Sequence, residues 1–180
     1  MALAVLLGTA AAASGHFSVV PFIDTYVDKN SPDSSFSEND TLWVTSTNNA
    51  PVQEAFMTFK NTFEGVASSP QTIESATMVI NATEVKKPGT ITAYFLHGAV
   101  TDSITWSDNQ TYDKSTMSTF DITKPGKYTI DATSMVKRAI QVCESGCPYS
   151  IVLVANDSAS VGFASNENPK MGAVLTFNTF

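Results

Sequence analysis

Charged residues are scarce in this sequence, and arginine is almost missing. Asp, Glu, Lys and Arg make up 15% of the 180 residues, Arg138 is the one arginine, and the net charge is −7. Proteins that bind nucleic acid or adhere to anionic membranes need clustered Lys and Arg to neutralise phosphate. The composition therefore argues against both kinds of partner.

Catalytic motifs are missing as well. The sequence contains no Gly-x-Ser-x-Gly, no His-Glu-x-x-His and no phosphate-binding loop. A Ser, Thr or Cys nucleophile needs a base within reach, and His16 and His97 are the two histidines. His97 ends a predicted strand, where a structural or surface role is the simpler interpretation. We therefore predict no enzyme activity.

The chain also lacks an apolar run of the roughly 20 residues that a transmembrane helix needs. The apolar N-terminal stretch, residues 1–13, has two interpretations. Its small residues 10–13 would suit a leader peptidase, although no Lys or Arg precedes them. Its large side chains Leu3, Val5 and Leu7 alternate with smaller ones, as in a half-buried strand. The filament hypothesis given below uses the second interpretation, in which residues 1–15 form an arm that can add to a sheet as a strand.

Two cysteines, Cys143 and Cys147, are separated by three residues that include Gly146. Such a spacing can close a small disulfide loop, and a disulfide is typical of an oxidising compartment. The alternatives are two reduced thiols or half of a zinc site, which would need further Cys or His ligands. The disulfide is the favoured interpretation, and it predicts an extracellular or cell-surface protein.

Four glycosylation sequons favour the same compartment. A sequon is a weak motif, but each of these lies beside turn residues, where a glycan could be tolerated. The predicted glycan-bearing residues are Asn39, Asn81, Asn109 and Asn156.

The rest of the chain reads as short strands separated by turn clusters, and 43% of the sequence is hydrophobic, enough for a core. Residues 149–155 are almost continuously apolar and predict a strand that is buried on both faces. Helical spacing of Val136, Ala139, Ile140 and Cys143 predicts one short helix, which Asp131 or Thr133 could cap. The predicted fold is an all-β antiparallel sandwich, a jelly roll, over residues 16–180.

The order of these segments resembles that of the DNRLRE-type domains, a group that overlaps an alginate-binding carbohydrate-module family. The resemblance runs from about Asp24 to Phe177. It rests on these segments: Asp24-Thr25-Tyr26-Val27-Asp28 with Pro32, Phe36 and Leu42-Trp43-Val44; Glu54-Ala55-Phe56-Met57-Thr58-Phe59; Ile73-Glu74-Ser75-Ala76-Thr77-Met78; Ile104-Thr105-Trp106-Ser107; Ile130-Asp131-Ala132-Thr133 with Val136; and Phe163-Ala164-Ser165-Asn166-Glu167 with Pro169. The resemblance implies a jelly roll that binds carbohydrate.

Two departures from that family concern basic residues. The family has an arginine near its third strand, where this chain has Gln53 and Glu54, and Arg or Lys before its final acid, where this chain has Asn166. Basic residues are suited to an acidic polysaccharide, so these departures weaken a transfer of polyuronate binding.

Two further sets of residues suggest ligands. Asp24 and Asp28 begin a run of acids around the first loop, which suits a structural calcium site, although a solvated acidic loop is the favoured interpretation of the run. No other cofactor is predicted. Four aromatic residues could stack on sugar rings or belong to the core: Tyr26, Trp43, Trp106 and Tyr112.

Two functions follow from these features. In the first, the protein is a pilus-like filament subunit at the cell surface, and its arm adds as a strand to the sheet of the next copy, with Leu3, Val5 and Leu7 in pockets. Such a head-to-tail joint does not close, so it yields a homopolymer. In the second, the protein is a secreted lectin-like module that binds cell-wall or matrix polysaccharide. The contacts of the three arm residues distinguish the two.

Overall fold

The computed structural model describes residues 14–60, 63, 66–67, 69–108, 110–143, 146–168 and 171–180. These residues form an antiparallel β structure with one helix, which confirms the predicted all-β fold. The strands are β1 (Gly15–Val19), β2 (Ile23–Asp28), β3 (Thr41–Thr47), β4 (Ala50–Phe59), β5 (Ile73–Lys87), β6 (Gly89–His97), β7 (Asp113–Ile122), β8 (Gly126–Asp131), β9 (Tyr149–Ala155), β10 (Ser160–Ala164) and β11 (Val174–Thr179). Helix α1 spans Thr133–Cys143.

Hydrogen bonds join all of these strands into one curled antiparallel sheet. The main path runs β1-β11-β5-β10-β3-β4-β9-β6-β7, while β2 pairs with β4 and β8 pairs with β5. The 15-residue strand β5 pairs with β11 along its first residues, with β8 in its middle and with β10 toward its end. Strand β5 thus pairs with three other strands, and the sheet curls over its own apolar face as a sandwich does.

The hairpin between β3 and β4 turns through Asn48 and Asn49, which both have positive φ angles, 51° and 62°. Two consecutive positive φ values define the tight turn that matches the twist of antiparallel strands, and asparagine tolerates them better than most residues. Thr47 pairs directly with Ala50 across this turn. The hairpin carries the first residues of β4 toward the groove described below.

The main core lies inside the curled sheet and is closed by α1. It contains a group of aromatic rings in contact: Phe63 lies 5.6 Å from Tyr149 and 5.3 Å from Phe177, centroid to centroid. All seven residues of β9 are buried, as their apolar run predicted. A strand that is covered on both faces has no solvent side, so alternation with polar residues disappears.

A smaller apolar cluster, here called the outer cluster, covers the opposite face of the same strands. Phe56 of β4, Leu96 of β6 and Val152 of β9 belong to it, and they are covered by residues 98–108 and 110–112, here called the cover segment. Val100 and Ile104 of that segment are buried in the cluster. The cover segment is therefore what buries the second face of β9.

Polar contacts hold the cover segment to the domain at two points. At its start, the backbone N–H of Val100 donates to Thr58 Oγ1 (3.3 Å), and Ser150 Oγ donates to the carbonyl of Gly98 (2.9 Å). Further along, Ser107 donates from its backbone to the carbonyl of Pro32 (3.0 Å) and from Oγ to Asp33 (2.9 Å). These contacts fix the position of Trp106, which lies beside Ser107.

Helix α1 forms where the helical spacing predicted it. Its buried residues are Met135, Val136, Ala139, Ile140 and Cys143. Asp131 caps the start, because its Oδ1 accepts a hydrogen bond from the backbone N–H of Thr133 at 2.9 Å.

Strand positions agree with the sequence more closely than strand ends do. The apolar segment of residues 17–27 is divided into β1 and β2 around Pro21, whose fixed φ and missing N–H interrupt the ladder. Strand β7 begins at Asp113 and has only a weak apolar signal, because its outward side chains are polar. Residues 1–13 of the arm, which include Leu3, Val5 and Leu7, lie outside the described residues. No helix among the described residues is long and apolar enough to cross a membrane.

Candidate functional site

A groove of about 480 Å³ lies between the β3–β4 hairpin and the region that joins the cover segment to β7. Pro51, Glu54 and Phe56 of β4 line one wall. Trp106 and Tyr112 line the other. Both aromatic rings are half-buried, and the Lys114 ammonium lies 6.0 Å from the centroid of the Tyr112 ring.

Tyr112 is held firmly in this wall. Its ring stacks on Tyr94 of β6 with centroids 4.9 Å apart, and its hydroxyl donates to Glu54 Oε1 at 3.0 Å. Burial raises the pKa of the Tyr112 phenol above its usual range, and the Glu54 carboxylate raises it further. The phenol therefore keeps its proton and remains a donor to Glu54.

Glu54, in the β4 wall of the groove, is partly withdrawn from water. Burial raises the pKa of its carboxyl, while the bond from Tyr112 and the charge of Lys114 oppose that rise. Lys29 and Lys114 line the same groove, and both are exposed. The groove thus combines two aromatic faces, one carboxylate acceptor and two ammonium groups in a protein whose net charge is −7.

The structure separates the four aromatic residues singled out from the sequence. Trp106 and Tyr112 lie in the groove. Tyr26 is buried and stacks on Phe36 with centroids 4.4 Å apart, so it belongs to the core. Trp43 packs partly against the main core, and the Lys86 ammonium lies 3.6 Å from its ring centroid. Two of the four therefore face the same cavity, and two have other roles.

The sequence did not identify Glu54, Lys29 or Lys114 as residues of a binding site. Glu54 had a detectable signal, because it is the one charged residue in the otherwise uncharged strand Ala50–Phe59. A carboxylate inside an apolar strand needs a partner, and here that partner is Tyr112. The two lysines had no such signal, since nothing in their local sequence distinguishes them from ordinary surface residues.

The predicted disulfide is formed between Cys143 and Cys147. It joins the end of α1 to the residues that precede β9. The ring of His97 lies beside it, with a nitrogen and both sulfurs within 4.8 Å of one another. Because the sulfurs are bonded to each other, they are not the thiolates that a zinc ion requires.

The two acids proposed as calcium ligands are not brought together. Asp24 and Asp28 lie near opposite ends of β2, about 13 Å apart along the strand at the usual rise per residue. Asp28 accepts from the backbone N–H of Asn30 (2.8 Å) and from Gln53 Nε2 (2.7 Å). Asp24 is buried and accepts from the backbone N–H of Asn166 (2.9 Å). A single site that contains both carboxylates does not fit this arrangement.

The sequons differ in how far their amides reach solvent. Asn39 is exposed, although its Nδ2 donates to the Tyr26 hydroxyl at 3.2 Å. Asn156 is half-buried and donates to Thr92 Oγ1 at 2.9 Å. Asn81 is 7% exposed, and its Nδ2 donates to the carbonyl of Met171 at 2.6 Å. A glycan fits Asn39 best and Asn81 least, Asn109 lies outside the described residues, and occupancy stays a prediction.

An antiparallel sandwich with an aromatic-lined groove and a small disulfide is an architecture that many binding domains share, and it does not by itself specify a particular chemistry. The sequence matches Carbohydrate-binding module family 96 over residues 16–179, and the chain belongs to that family. Members of carbohydrate-binding module families are typically non-catalytic. A comparison with curated proteins found no match.

Proposed function

We propose that this chain binds a glycan in the groove between the β3–β4 hairpin and the end of the cover segment. The observation that carries the proposal is the pair of half-buried rings, Trp106 and Tyr112, on one wall of a groove that also holds the Glu54 carboxylate. A flat apolar ring covers the carbon face of a sugar, and a fixed carboxylate accepts hydrogen bonds from its hydroxyls. Ligand sites commonly combine apolar walls with a few placed polar groups in this way.

The positions of the two rings are fixed before any ligand arrives. Tyr112 is held by Tyr94 and Glu54, while Trp106 packs against the outer apolar cluster. A preformed wall loses little conformational entropy on binding. This supports recognition of an extended glycan by a rigid surface.

Lys29 and Lys114 supply positive charge at a groove that would otherwise carry the single negative charge of Glu54. Ammonium groups can donate to sugar hydroxyls and can also pair with the carboxylate of a uronic acid. A panel that contains neutral and uronic-acid oligosaccharides of equal length separates these two cases. We expect binding to uronic-acid ligands to weaken as salt is added, because exposed charge pairs are screened.

Binding to such a panel should depend on the two rings. We expect Trp106→Ala and Tyr112→Ala each to weaken binding by about 1–2 kcal/mol, or roughly 5- to 30-fold, as truncation of an aromatic anchor does. Isothermal titration calorimetry would measure the loss. Tyr128→Ala is a matched control, since Tyr128 hydrogen-bonds the carbonyl of Lys124 on a turn outside the groove. Equal affinity of the Trp106 variant and the wild type would contradict the proposal.

The disulfide and the family support a location outside the cell. The filament hypothesis concerns residues 1–13, which lie outside the described residues, and it stays a prediction. The division into an arm (1–15) and a jelly-roll domain (16–180) likewise stays a proposal. The described residues that line the groove belong to β2, β4, β7 and the segments beside them, so glycan binding there and the filament hypothesis are tested separately.

A further inference from the structure

A second pocket, distinct from the groove, lies at the other end of β2. Its volume is about 260 Å³, and it is lined by residues of β2 and by residues that follow β10. Four of its lining residues carry carboxylates: Asp24, Glu38, Asp102 and Glu167. The Lys60 ammonium lies over the ring of Phe22 in the same wall, 5.5 Å from its centroid, but it pairs with none of them. In the described part of the chain, the one ion pair is Arg138–Asp113.

Asp24 is the unusual member of this group. It is 4% exposed, its Oδ2 accepts from the backbone N–H of Asn166 at 2.9 Å, and its Oδ1 is buried with no donor. The nearest side-chain partner for this carboxyl is Glu167, which is another carboxyl group. Two carboxyls can share a hydrogen bond only while one of them holds a proton. When both are ionised, Oδ1 is left as a buried and uncompensated acceptor.

With both carboxyls ionised, such an arrangement is costly unless a cation occupies the pocket. The neighbouring Asn166 does not supply a donor to Oδ1, because its backbone N–H donates to Oδ2 (2.9 Å) and its side-chain Nδ2 donates to the carbonyl of Pro21 (2.6 Å). These two hydrogen bonds fix Asn166, the neighbour of Glu167, relative to Asp24 and Pro21. A metal site needs ligands whose positions are fixed in this way.

We propose that this pocket binds a calcium ion through Asp24 and Glu167. Calcium accepts six to eight oxygen ligands in flexible geometry, including waters, whereas magnesium demands a near-ideal octahedron. Glu38 and Asp102 stand farther from the pair, outside a 4.8 Å cluster, and both are exposed. Neither carboxylate has a hydrogen-bond partner among the described residues, so each can rotate toward an ion that enters the pocket.

This proposal does not depend on the glycan-binding function. Asp24 lies near the start of β2, and the groove begins with Val27 and Lys29 at the end of that strand. The ion would join β2 to the residues that follow β10, two segments far apart in the sequence. It would therefore act on the stability of the domain, and glycan binding would provide a separate measurement.

Calorimetric titration of the chelator-treated protein with CaCl2 near neutral pH tests the proposal. We expect a dissociation constant of about 10⁻⁴–10⁻³ M, the range of extracellular calcium modules. We also expect Tm to rise with calcium concentration, since the folded state alone holds the site. The same concentrations of MgCl2 should raise Tm less. The absence of both heat and a Tm shift at millimolar calcium would overturn the proposal.

Two variants assign the site to its residues. Glu167→Gln changes an exposed side chain and should weaken calcium binding at least tenfold, as changes around metal ligands do. Asp28→Asn is the matched control at the other end of β2, and it should bind calcium as the wild type does. Asp24→Asn should abolish binding, and if that variant does not fold, the Glu167 variant decides the question. Calcium binding that is unchanged in Glu167→Gln would overturn the assignment.

Discussion

At the scale of single residues, the candidate groove depends on side chains whose roles are set by distant neighbours. Trp106 and Tyr112 could be proposed from the sequence because aromatic residues have few uses outside cores and binding sites. Their separation from Tyr26 and Trp43 has a weak local signal, because Tyr26 and Trp43 each precede a valine in a strand, whereas Trp106 and Tyr112 lie among polar residues. What distinguishes Tyr112 is Tyr94 beneath it and Glu54 beside it, and neither contact is local in the chain.

Glu54 provides a prediction at this scale. Burial raises the pKa of its carboxyl in the folded state above its value in the unfolded chain. The folded state therefore holds this proton more tightly, and the charged form costs stability once the pH exceeds the unfolded pKa of about 4.3. Glu54→Gln removes the charge and retains an oxygen that accepts from Tyr112. We expect Glu54→Gln to have a larger free energy of unfolding than the wild type at pH 7.

The pH dependence gives this prediction its control. Below the unfolded pKa, Glu54 is protonated in both states, so its burial no longer carries a charge penalty. The difference in unfolding free energy between the variant and the wild type should shrink as the pH falls toward 4, in urea titrations at several pH values. A variant that is less stable at pH 7, or a difference that does not change with pH, would contradict this account.

At the scale of elements, the sequence predicts strands better than it predicts the cover segment. Strand β9 has a nearly continuous apolar run and helix α1 has apolar residues at helical spacing, and both occur where predicted. The cover segment has few apolar residues, and they have no regular spacing. It is positioned by tertiary contacts such as the bond from Val100 to Thr58, which connects residues 42 positions apart. No local pattern can report a contact of that kind.

The cover segment should link the stability of the outer cluster to the groove. Ile104 is 3% exposed and lies two residues before Trp106. We expect Ile104→Ala to destabilise the domain by about 2–4 kcal/mol, through lost burial and a residual cavity. We also expect it to weaken glycan binding, because Trp106 loses its support. Urea unfolding and calorimetry would measure the two effects.

Ile130→Ala is the matched control for that experiment. Ile130 is equally buried, at 1% exposure, but it lies on β8 in the main core. Its replacement should cost a similar free energy of unfolding and leave the affinity for glycan unchanged in the folded protein. Equal losses of affinity in both variants would mean that binding follows overall stability rather than the support of Trp106.

At the scale of the whole molecule, one curled sheet contributes side chains to two apolar clusters, one on each of its faces. Neighbouring residues of β4 show this directly, because Met57 lies in the main core while Phe56 lies in the outer cluster. The sequence predicts the sandwich class, since class follows from the number and spacing of short strands. The order of strands in the sheet could not be predicted in the same way. Pairings such as β1 with β11 join the two ends of the domain, and no local signal specifies them.

Shared strands predict that the two clusters unfold together. The two tryptophans report on them separately, since Trp43 packs against the main core and Trp106 against the outer cluster. In Trp43→Phe, the remaining fluorescence follows the outer cluster, and in Trp106→Phe it follows the main core. Within each variant, we expect the fluorescence and far-ultraviolet circular dichroism transitions in urea to coincide, as two-state unfolding requires. If Trp106 fluorescence changed at lower urea than the circular dichroism signal, the cover segment would open as a separate unit. The groove would then be formed by a locally unstable element rather than by the rigid sheet.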